Sequence, residues 1–327
     1  MRPPAFWQAG GWPAMLLAPL SRVMARAARR RAHRRAPVAA EVPVVCVGNV
    51  VVGGAGKTPV ALDLGRRLRE RGRAVHFLTR GYGGRVRRTP LRVDPTRHDA
   101  ATVGDEALLL ADTAPTWVAP DRAAGARRAV ASGADVLVLD DGFQAPRLAP
   151  DLALLVVDGE VGFGNGRVLP AGPLREDPGS ALGRAHAVLR LGPDRAGAAA
   201  WFPNGMPVIT GEIRPAGDTA WLRGAKVLAF AAIARPGKLF DTLRAAGADL
   251  VGTVAFADHH RYTPRECADL VDWAEAAGAS LVTTTKDHVR LPSALRARVT
   301  PLPVRVAWDS PAAVDHLLDR LLRHDAR

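Results

Sequence analysis

The stretch "VVVGGAGKTP", residues 50–59, decides the fold of this chain. It follows the apolar run "VPVVCV" at 42–47, so a strand empties into Gly53, Gly54, Ala55 and Gly56 and then into Lys57 and Thr58. Glycines let backbone N–H groups turn inward, and a helix starting near Lys57 aims its positive dipole end at the same point. Together these make a phosphate cradle. Lys57 is expected to reach the β- and γ-phosphates of a nucleotide, and the Thr58 hydroxyl to coordinate Mg²⁺. Pro59 is tolerated in the first helical turn. The full phosphate-loop spacing, G-x-x-x-x-G-K-[ST], fails at its first glycine, where Val51 stands. A glycine-rich turn can also serve packing alone, but the Gly-Lys-Thr ending after a strand makes nucleotide binding the stronger reading.

Its companion is "DVLVLDDGFQ", residues 135–144. An apolar strand ending in Asp140 and Asp141 brings carboxylates to the carboxyl edge of the sheet, where either aspartate suits Mg²⁺ directly or through water. Further strands are expected at 43–47, 74–79, 152–157, 187–191 and 207–212, with helices at about 57–71, 104–112 and 121–132. Continuous apolar strands between amphipathic helices imply an α/β fold: a P-loop NTPase-like, mostly parallel sheet with helices on both faces. After "RPAGD" at 214–218 a second set begins, with strands at 226–231, 249–256, 280–284 and 304–308 and helices near 236–246, 264–277 and 311–323. It reads as a smaller C-terminal α/β lobe. The expected division is an anchoring segment at 1–35, a P-loop kinase core at 36–218 and the smaller domain at 219–327.

Composition limits the function classes. Hydrophobic residues at 48% and charged residues at 24% describe a folded chain, not a disordered one. The two cysteines, Cys46 and Cys267, lie too far apart in sequence to suggest a disulfide framework or a cysteine-rich metal site. The net charge of +13 is concentrated at the N-terminus, where residues 1–40 hold eight arginines and no acid. The uncharged stretch "PPAFWQAGGWPAMLLAPLS" at 3–21 precedes "RAARRRAHRR" at 26–35. Pro13, Pro19 and the Gly10-Gly11 pair make it a poor continuous helix and a poor membrane span. Trp and Leu beside arginines suit a membrane-associating helix lying on an anionic surface. A solvated tail on a packed helix is the plainer alternative. Nucleic acid is not an expected partner, because no recognition motif follows the arginines.

Several segments in order, "GNVVVGGAGKTP", "LTRGYGG", "VGDEALLLA", "APDR", "VLDDGFQ", "LPAGPLRE", "FADHHRYT" and "TTTKDHVRL", span residues 48–291 and resemble the tetraacyldisaccharide 4′-kinase (lipid A 4′-kinase) family. The resemblance implies ATP-dependent phosphorylation of the 4′-hydroxyl of an acylated glucosamine disaccharide 1-phosphate. It also implies a monomeric enzyme, peripheral or monotopic on the cytoplasmic face of a Gram-negative inner membrane. Acyl chains would need an apolar groove near the anchor. Asp105 of "GDE" is carried over as the base or positioning group for the sugar hydroxyl, although on sequence alone it would be a helix cap. Asp258 and His259 of "DHH" would form a supporting pair, with His260 the alternative histidine. Glu176 of "GPLRE" is a candidate Mg²⁺ ligand or a partner of one. Arg80 and Tyr82 of "TRGYGG", and Arg122 of "APDR", are candidate contacts to a substrate or nucleotide phosphate. The family's glycine-rich segment before proline appears here as "AIARPGKLF" at 232–240, with Ala232 and Ala234 in place of glycines. The competing reading from another class is a membrane-associated P-loop ATPase or GTPase switch, which has no use for the Asp105 and Asp258-His259 constellation.

Overall fold

The computed structural model describes residues 4–33, 38–144 and 147–325. Its strands are β1 Val44–Gly48, β2 Val75–Thr79, β3 Leu91–Arg92, β4 Thr116–Val118, β5 Val136–Asp140, β6 Leu152–Asp158, β7 Ala187–Leu191, β8 Val208–Pro215, β9 Lys226–Ala231, β10 Asp249–Ala255, β11 Ser280–Thr284, β12 Val299–Leu302 and β13 Val304–Trp308. The helices are α1 Phe6–Ala9, α2 Trp12–His33, α3 Lys57–Glu70, α4 Ala100–Val103, α5 Asp105–Ala111, α6 Arg122–Val130, α7 Pro178–Leu182, α8 Gly237–Ala245, α9 Pro264–Ala276, α10 Thr285–His288, α11 Ser293–Arg296 and α12 Pro311–Asp325.

Nine strands form the large sheet in the order β13-β8-β7-β6-β1-β5-β2-β4-β3. All its neighbours run parallel except β13 on β8 and β3 on β4. Every residue of β1, β2, β5 and β6 is buried, as both-face coverage requires. Alternate residues serve opposite faces. Val45 and Val47 pack with Leu64 and Leu68 of α3 and Leu318 of α12. Val44 and Cys46 pack with Ala126 of α6 and Leu182 of α7. On the first face the helix comes unusually close, because Gly65 of α3 faces Phe77 of β2. A Cβ built at Gly65 would lie 2.3 Å from the Phe77 ring.

The small lobe holds a parallel sheet of order β10-β9-β11-β12, with α8 packed on one face and α9 on the other. The single expected cut after residue 218 is corrected at the far end of this lobe, because the chain crosses between the units twice. After β12 it returns, and β13 adds to the edge of the large sheet as the antiparallel partner of β8. Val314, Leu318 and Leu321 of α12 then join the core beside α3. The return is fastened by Arg67 Nη1 on Asp315 at 3.0 Å, Arg71 on Asp315 at 2.7 Å and Trp308 Nε1 on Asp63 at 2.7 Å.

At the N-terminus the expected weak helix is corrected as well. Gly10 and Gly11, both at positive φ, separate α1 from α2, but α2 runs unbroken through Pro19 for 22 residues. Pro13 falls in the first turn, where its missing N–H has no acceptor to lose, and Pro19 lies on the exposed side. Ala14 and Ser21 are buried against the core, with Ser21 Oγ donating to the Val168 carbonyl at 2.6 Å. Trp12, Met15, Leu16, Leu20, Val23 and Met24 face outward. Among the described residues, no helix is long and apolar enough to cross a membrane.

The Gly65–Phe77 contact gives a stability prediction. Gly65→Ala should lower the unfolding free energy by about 1–3 kcal/mol through overpacking, outweighing the helix-propensity gain of about 1 kcal/mol. Chemical denaturation would measure it, and adding Phe77→Leu should recover part of the loss; a stabilised Gly65→Ala protein would refute the close-packing account.

Candidate active site

The chain leaves β1 for β2 on one side of the sheet, fills the gap with β5, and then builds β6, β7 and β8 on the other side. A crevice therefore opens at the carboxyl ends of β1, β5 and β6, where the direction of winding reverses. The glycine-rich loop and the two aspartates lie at this edge.

The loop has two halves. Val50–Val52 is extended and fastened to the 173–175 segment: Val52 N–H donates to the Pro173 carbonyl at 2.9 Å and Arg175 N–H to the Val50 carbonyl at 2.7 Å. Val51 forms a bridge with Leu174 in this pairing. An extended position has no need of glycine, which explains why the spacing rule fails there. The turn itself falls on Gly53, at φ 113°, and Gly56, at φ 86°. A Cβ at Gly56 would also lie 2.6 Å from Leu191. Helix α3 then begins at Lys57 with neither a side-chain cap nor an acid in its first turn, leaving its dipole end for a ligand anion. Ala234 from the small lobe packs over the loop, 3.5 Å from a Cβ built at Gly53.

Asp140 and Asp141 divide their work. Asp140, the fully buried last residue of β5, accepts from Thr58 Oγ1 at 2.9 Å through Oδ2, while its buried Oδ1 has no hydrogen-bond partner. Asp141 has φ 57°, a left-handed conformation that aspartate tolerates better than most residues. That inversion turns its carboxylate to the other side, onto Arg175 Nη1 at 2.9 Å and Lys57 Nζ at 3.5 Å. Lys57 Nζ also donates to Asn49 Oδ1 at 3.0 Å. Burial and then the neighbouring Glu106 push Asp140 up to about 7, Lys57 opposing and Asp141 adding. Asp141 goes the other way: burial would raise it, but Lys57 and Arg175 hold it below the ordinary range. A buried orphan carboxylate oxygen beside a threonine hydroxyl fits a hard cation. Asp140 is thus the aspartate suited to Mg²⁺, while Asp141 is neutralised by protein cations. Glu176 is held by Arg184 at 2.8 Å and Gln144 at 3.0 Å. Among the described residues there is no ready-made group of three or more carboxylates, histidines and cysteines for a metal.

A second cluster joins the two lobes. Asp105 opens α5 and is buried. It caps locally, accepting from Glu106 N–H at 2.9 Å, but its other oxygen meets His259 Nδ1 at 3.0 Å. The expected Asp258-His259 pair is present only at longer range, and Asp105 is the hydrogen-bond partner. His259 has φ 59°, which swings its ring back toward the core domain and leaves Asp258 Oδ1 at 3.8 Å from Nε2. Tyr82 lies against the same ring, with centroids 4.9 Å apart. His260 points elsewhere, onto Glu266 at 2.9 Å. Burial alone would raise Asp105, but hydrogen bonding to His259 and the charges of Lys286, His259 and Arg290 hold it below the ordinary carboxylate range.

Two expected phosphate contacts separate. Arg80 is exposed near the crevice. Arg122, the other candidate phosphate contact, is only 3% exposed: Nη1 donates to the Ala119 carbonyl, and Nε is buried with no hydrogen-bond partner among the described residues. Burial pushes Arg122 down to about 10, against the pull of the nearby Asp141 and Asp140. It acts as a buried counter-charge behind the aspartates. Asp287 of "TTTKDHV" is fully buried and accepts from Tyr262, Thr284 and the Ala232 N–H, so it braces the small lobe. The roles of Asn49, Glu106 and Arg290 carried no signal in the sequence beyond adjacency to a motif.

On the β6 side of the loop lies a mostly apolar cleft of about 640 Å³, mouth included, walled in part by Trp7, Val51, Val156, Phe163 and Ala234. Asp158 and Arg235 pair across it, and Lys238 Nζ donates to the same carboxylate at 2.6 Å.

The Asp140 environment predicts how a divalent cation acts on stability. With its value raised in the folded state, Asp140 contributes stability at low pH that is lost as pH rises from about 4 through about 7. A cation binds the ionised form and offsets that loss. Mg²⁺ should therefore raise the melting temperature more at about pH 8 than at about pH 5.5, and Asp140→Asn should remove the difference. Equal Mg²⁺ effects at both pH values would count against this site.

Comparison with known proteins agrees with this geometry. The family model described as tetraacyldisaccharide-1-P 4′-kinase matches residues 13–323. A tetraacyldisaccharide 4′-kinase of Rhodospirillum centenum is 56% identical, over 98% of this chain and 97% of the relative. One of Gluconacetobacter diazotrophicus is 54% identical, over 98% of each. Among solved structures, LpxK from Aquifex aeolicus in complex with ATP superposes with a TM-score of 0.76 at 25% identity, covering 95% of this chain and 99% of that one. The match runs through α2, the phosphate loop and both lobes, so the chain belongs to the tetraacyldisaccharide-1-phosphate 4′-kinase family.

Proposed function

We propose that this chain moves the γ-phosphoryl group of ATP to the 4′-hydroxyl of an acylated glucosamine disaccharide 1-phosphate at a membrane surface. It is a phosphotransferase with an alcohol acceptor. The observation that supports the site assignment is the adjacency of two devices. Thr58 and Asp140 stand beside an anion-binding loop, and Glu106, next to the Asp105–His259 pair, is close enough to raise Asp140.

In this reading the acceptor oxygen attacks the γ-phosphorus in line as the bond to the β,γ-bridging oxygen breaks, and ADP leaves with that electron pair. The hydroxyl proton passes to the Asp105–His259 pair. Loop N–H groups and the Lys57 ammonium stabilise charge on the transferring group. Mg²⁺, when bound by Thr58 and Asp140, supplies further neutralisation of the β- and γ-oxygens. The cleft beside Trp7 suits the apolar part of the acceptor, since Trp7 of α1 and the loop both line it. A nucleotide switch would leave the Asp105–His259 pair without a task.

The outward face of α2 supports a peripheral membrane position. Its apolar residues recur three and four apart, and Arg22, Arg26 and Arg30 are exposed beside them. Use of ATP as the phosphoryl donor supports the cytoplasmic side of the inner membrane for this surface.

Two experiments test these readings. In mixed micelles with Mg²⁺ and γ-labelled ATP, label should move to the acylated disaccharide 1-phosphate and should vanish with Lys57→Ala. Asp105→Ala should lower kcat by about 10²- to 10⁴-fold while sparing ATP binding, and Asp258→Ala should cost far less. Free phosphate without labelled lipid would favour the switch. Separately, the protein should float with anionic vesicles in a salt-sensitive manner, and Trp12, Leu16 and Leu20 changed together to serine should release it. Flotation unaffected by those changes would move the membrane contact elsewhere.

A further inference from the structure

The Asp105–His259 pair is one side of a closed ring of hydrogen-bonding groups that crosses between the lobes. Asp105 Oδ2 meets His259 Nδ1 at 3.0 Å, and Asp105 Oδ1 accepts from Glu106 N–H at 2.9 Å. Glu106 Oε1 accepts from Lys286 Nζ at 3.1 Å, and Lys286 Nζ lies 3.4 Å from His259 Nε2. Asp105 and Glu106 belong to α5 of the core domain; His259 and Lys286 belong to the small lobe.

The ring dictates where the imidazole proton resides. An ammonium donates and cannot accept. Facing Lys286, Nε2 must offer its lone pair, so the proton belongs on Nδ1, donated to the Asp105 carboxylate. In that tautomer Nε2 is the ring nitrogen that carries the lone pair. Lys286 is well kept as a cation: burial alone would lower it, but Glu106, Asp105 and Asp258 hold it above its ordinary value.

We propose that Lys286 is a positioning residue for phosphoryl transfer: held by Glu106 across the lobe boundary, it fixes His259 as the Nδ1–H tautomer with a basic Nε2. The assignment rests on the kinase reading for its purpose but not for its geometry. A plain interlobe ion pair would need only Glu106 and Lys286. It would not require the ammonium to lie over the imidazole nitrogen that Asp105 leaves free. The other groups facing the ring are Asp258, at 3.8 Å from Nε2, and Tyr82. Arg290 reaches Asp105 Oδ2 at 3.4 Å and also pairs with Asp287, which ties the far side of the ring to the small lobe.

The test begins without substrate, so that it stands or falls apart from the acceptor's identity. In the full chain labelled with ¹⁵N-histidine, a downfield Nδ1–H signal, assigned by its loss in His259→Asn, is expected in the parent protein. It should survive in Lys286→Arg, which keeps the charge and a donor, and broaden away in Lys286→Met. A signal of unchanged position and sharpness in folded Lys286→Met overturns the proposal. If Lys286→Met does not fold, Glu106→Ala, which leaves the lysine without its carboxylate partner, is expected to give the same broadening, and an unchanged signal there overturns it equally. The kinetic companion is the pH profile of lipid phosphorylation. Removing a cation beside the pair makes its protonation easier, so in Lys286→Met the acidic limb of kcat should move up by about one pH unit. The KM for ATP should change little. A simple fall in kcat with an unmoved limb, not rescued by arginine, would reduce Lys286 to a structural tie.

Discussion

Two carboxylates end one buried strand, and in a medium of low polarity they cannot both remain ionised without counter-charges. That constraint organises the centre of this molecule. Asp141 is turned aside by its left-handed backbone and neutralised by Arg175 and Lys57, with Arg122 buried behind. Asp140 keeps only a threonine hydroxyl and an unpartnered oxygen. The asymmetry converts a repeated residue into two functions: one aspartate holds the lysine of the loop in place, and the other is left short of positive charge. Arg175 can reach Asp141 because its own backbone N–H is fastened to Val50, so the extended half of the loop also sets the electrostatics of its floor.

The second constraint is that no single unit holds the whole site. The loop and both aspartates belong to the large sheet, whereas His259, Lys286, Arg290 and Ala234 come from an insertion between β8 and β13. Because the chain enters the small lobe after β8 and leaves it into β13, the antiparallel partner of β8, both crossings start from one edge of the sheet. The lobe is therefore tethered at two neighbouring strands. The ion pairs of α12 with Arg67 and Arg71 keep the second tether rigid.

Much of this was legible in the sequence, for reasons that differ by element. Strands such as β1, β5 and β6 announce themselves because burial on both faces demands unbroken apolar runs. β3, β4 and β12 do not, being two to four residues long, and β12 contains Pro301. The loop was readable despite Val51, since the glycines that the turn requires are all present. The pairing of His259 was not. Adjacency favours Asp258, and only the positive φ of His259, together with the docking of two lobes, brings in Asp105 from 154 positions earlier. The burial of Arg122 was not legible for a related reason: local sequence does not reveal that the start of α6 lies behind the two aspartates at the end of β5. The return of β13 to the large sheet is likewise invisible to local patterning, because an edge strand reads alike in either domain.

If the Asp105–His259 pair is the proton acceptor, as proposed, its division between the lobes also has a chemical consequence. A loop that binds ATP beside an assembled proton acceptor would be equally ready for water, and hydrolysis would compete with transfer. Here Asp105 comes from the core domain, while the groups that hold its carboxyl below the ordinary range, His259, Lys286 and Arg290, all come from the small lobe. Lys286 and Glu106 make the same crossing, and Lys286 Nζ lies 3.4 Å from His259 Nε2. His259, in a left-handed conformation that costs most residues about 1–3 kcal/mol, is held there by its N–H on the Ala232 carbonyl. Ala232 in turn is bound through its N–H to the buried Asp287. The strained histidine is thus braced from within its own lobe.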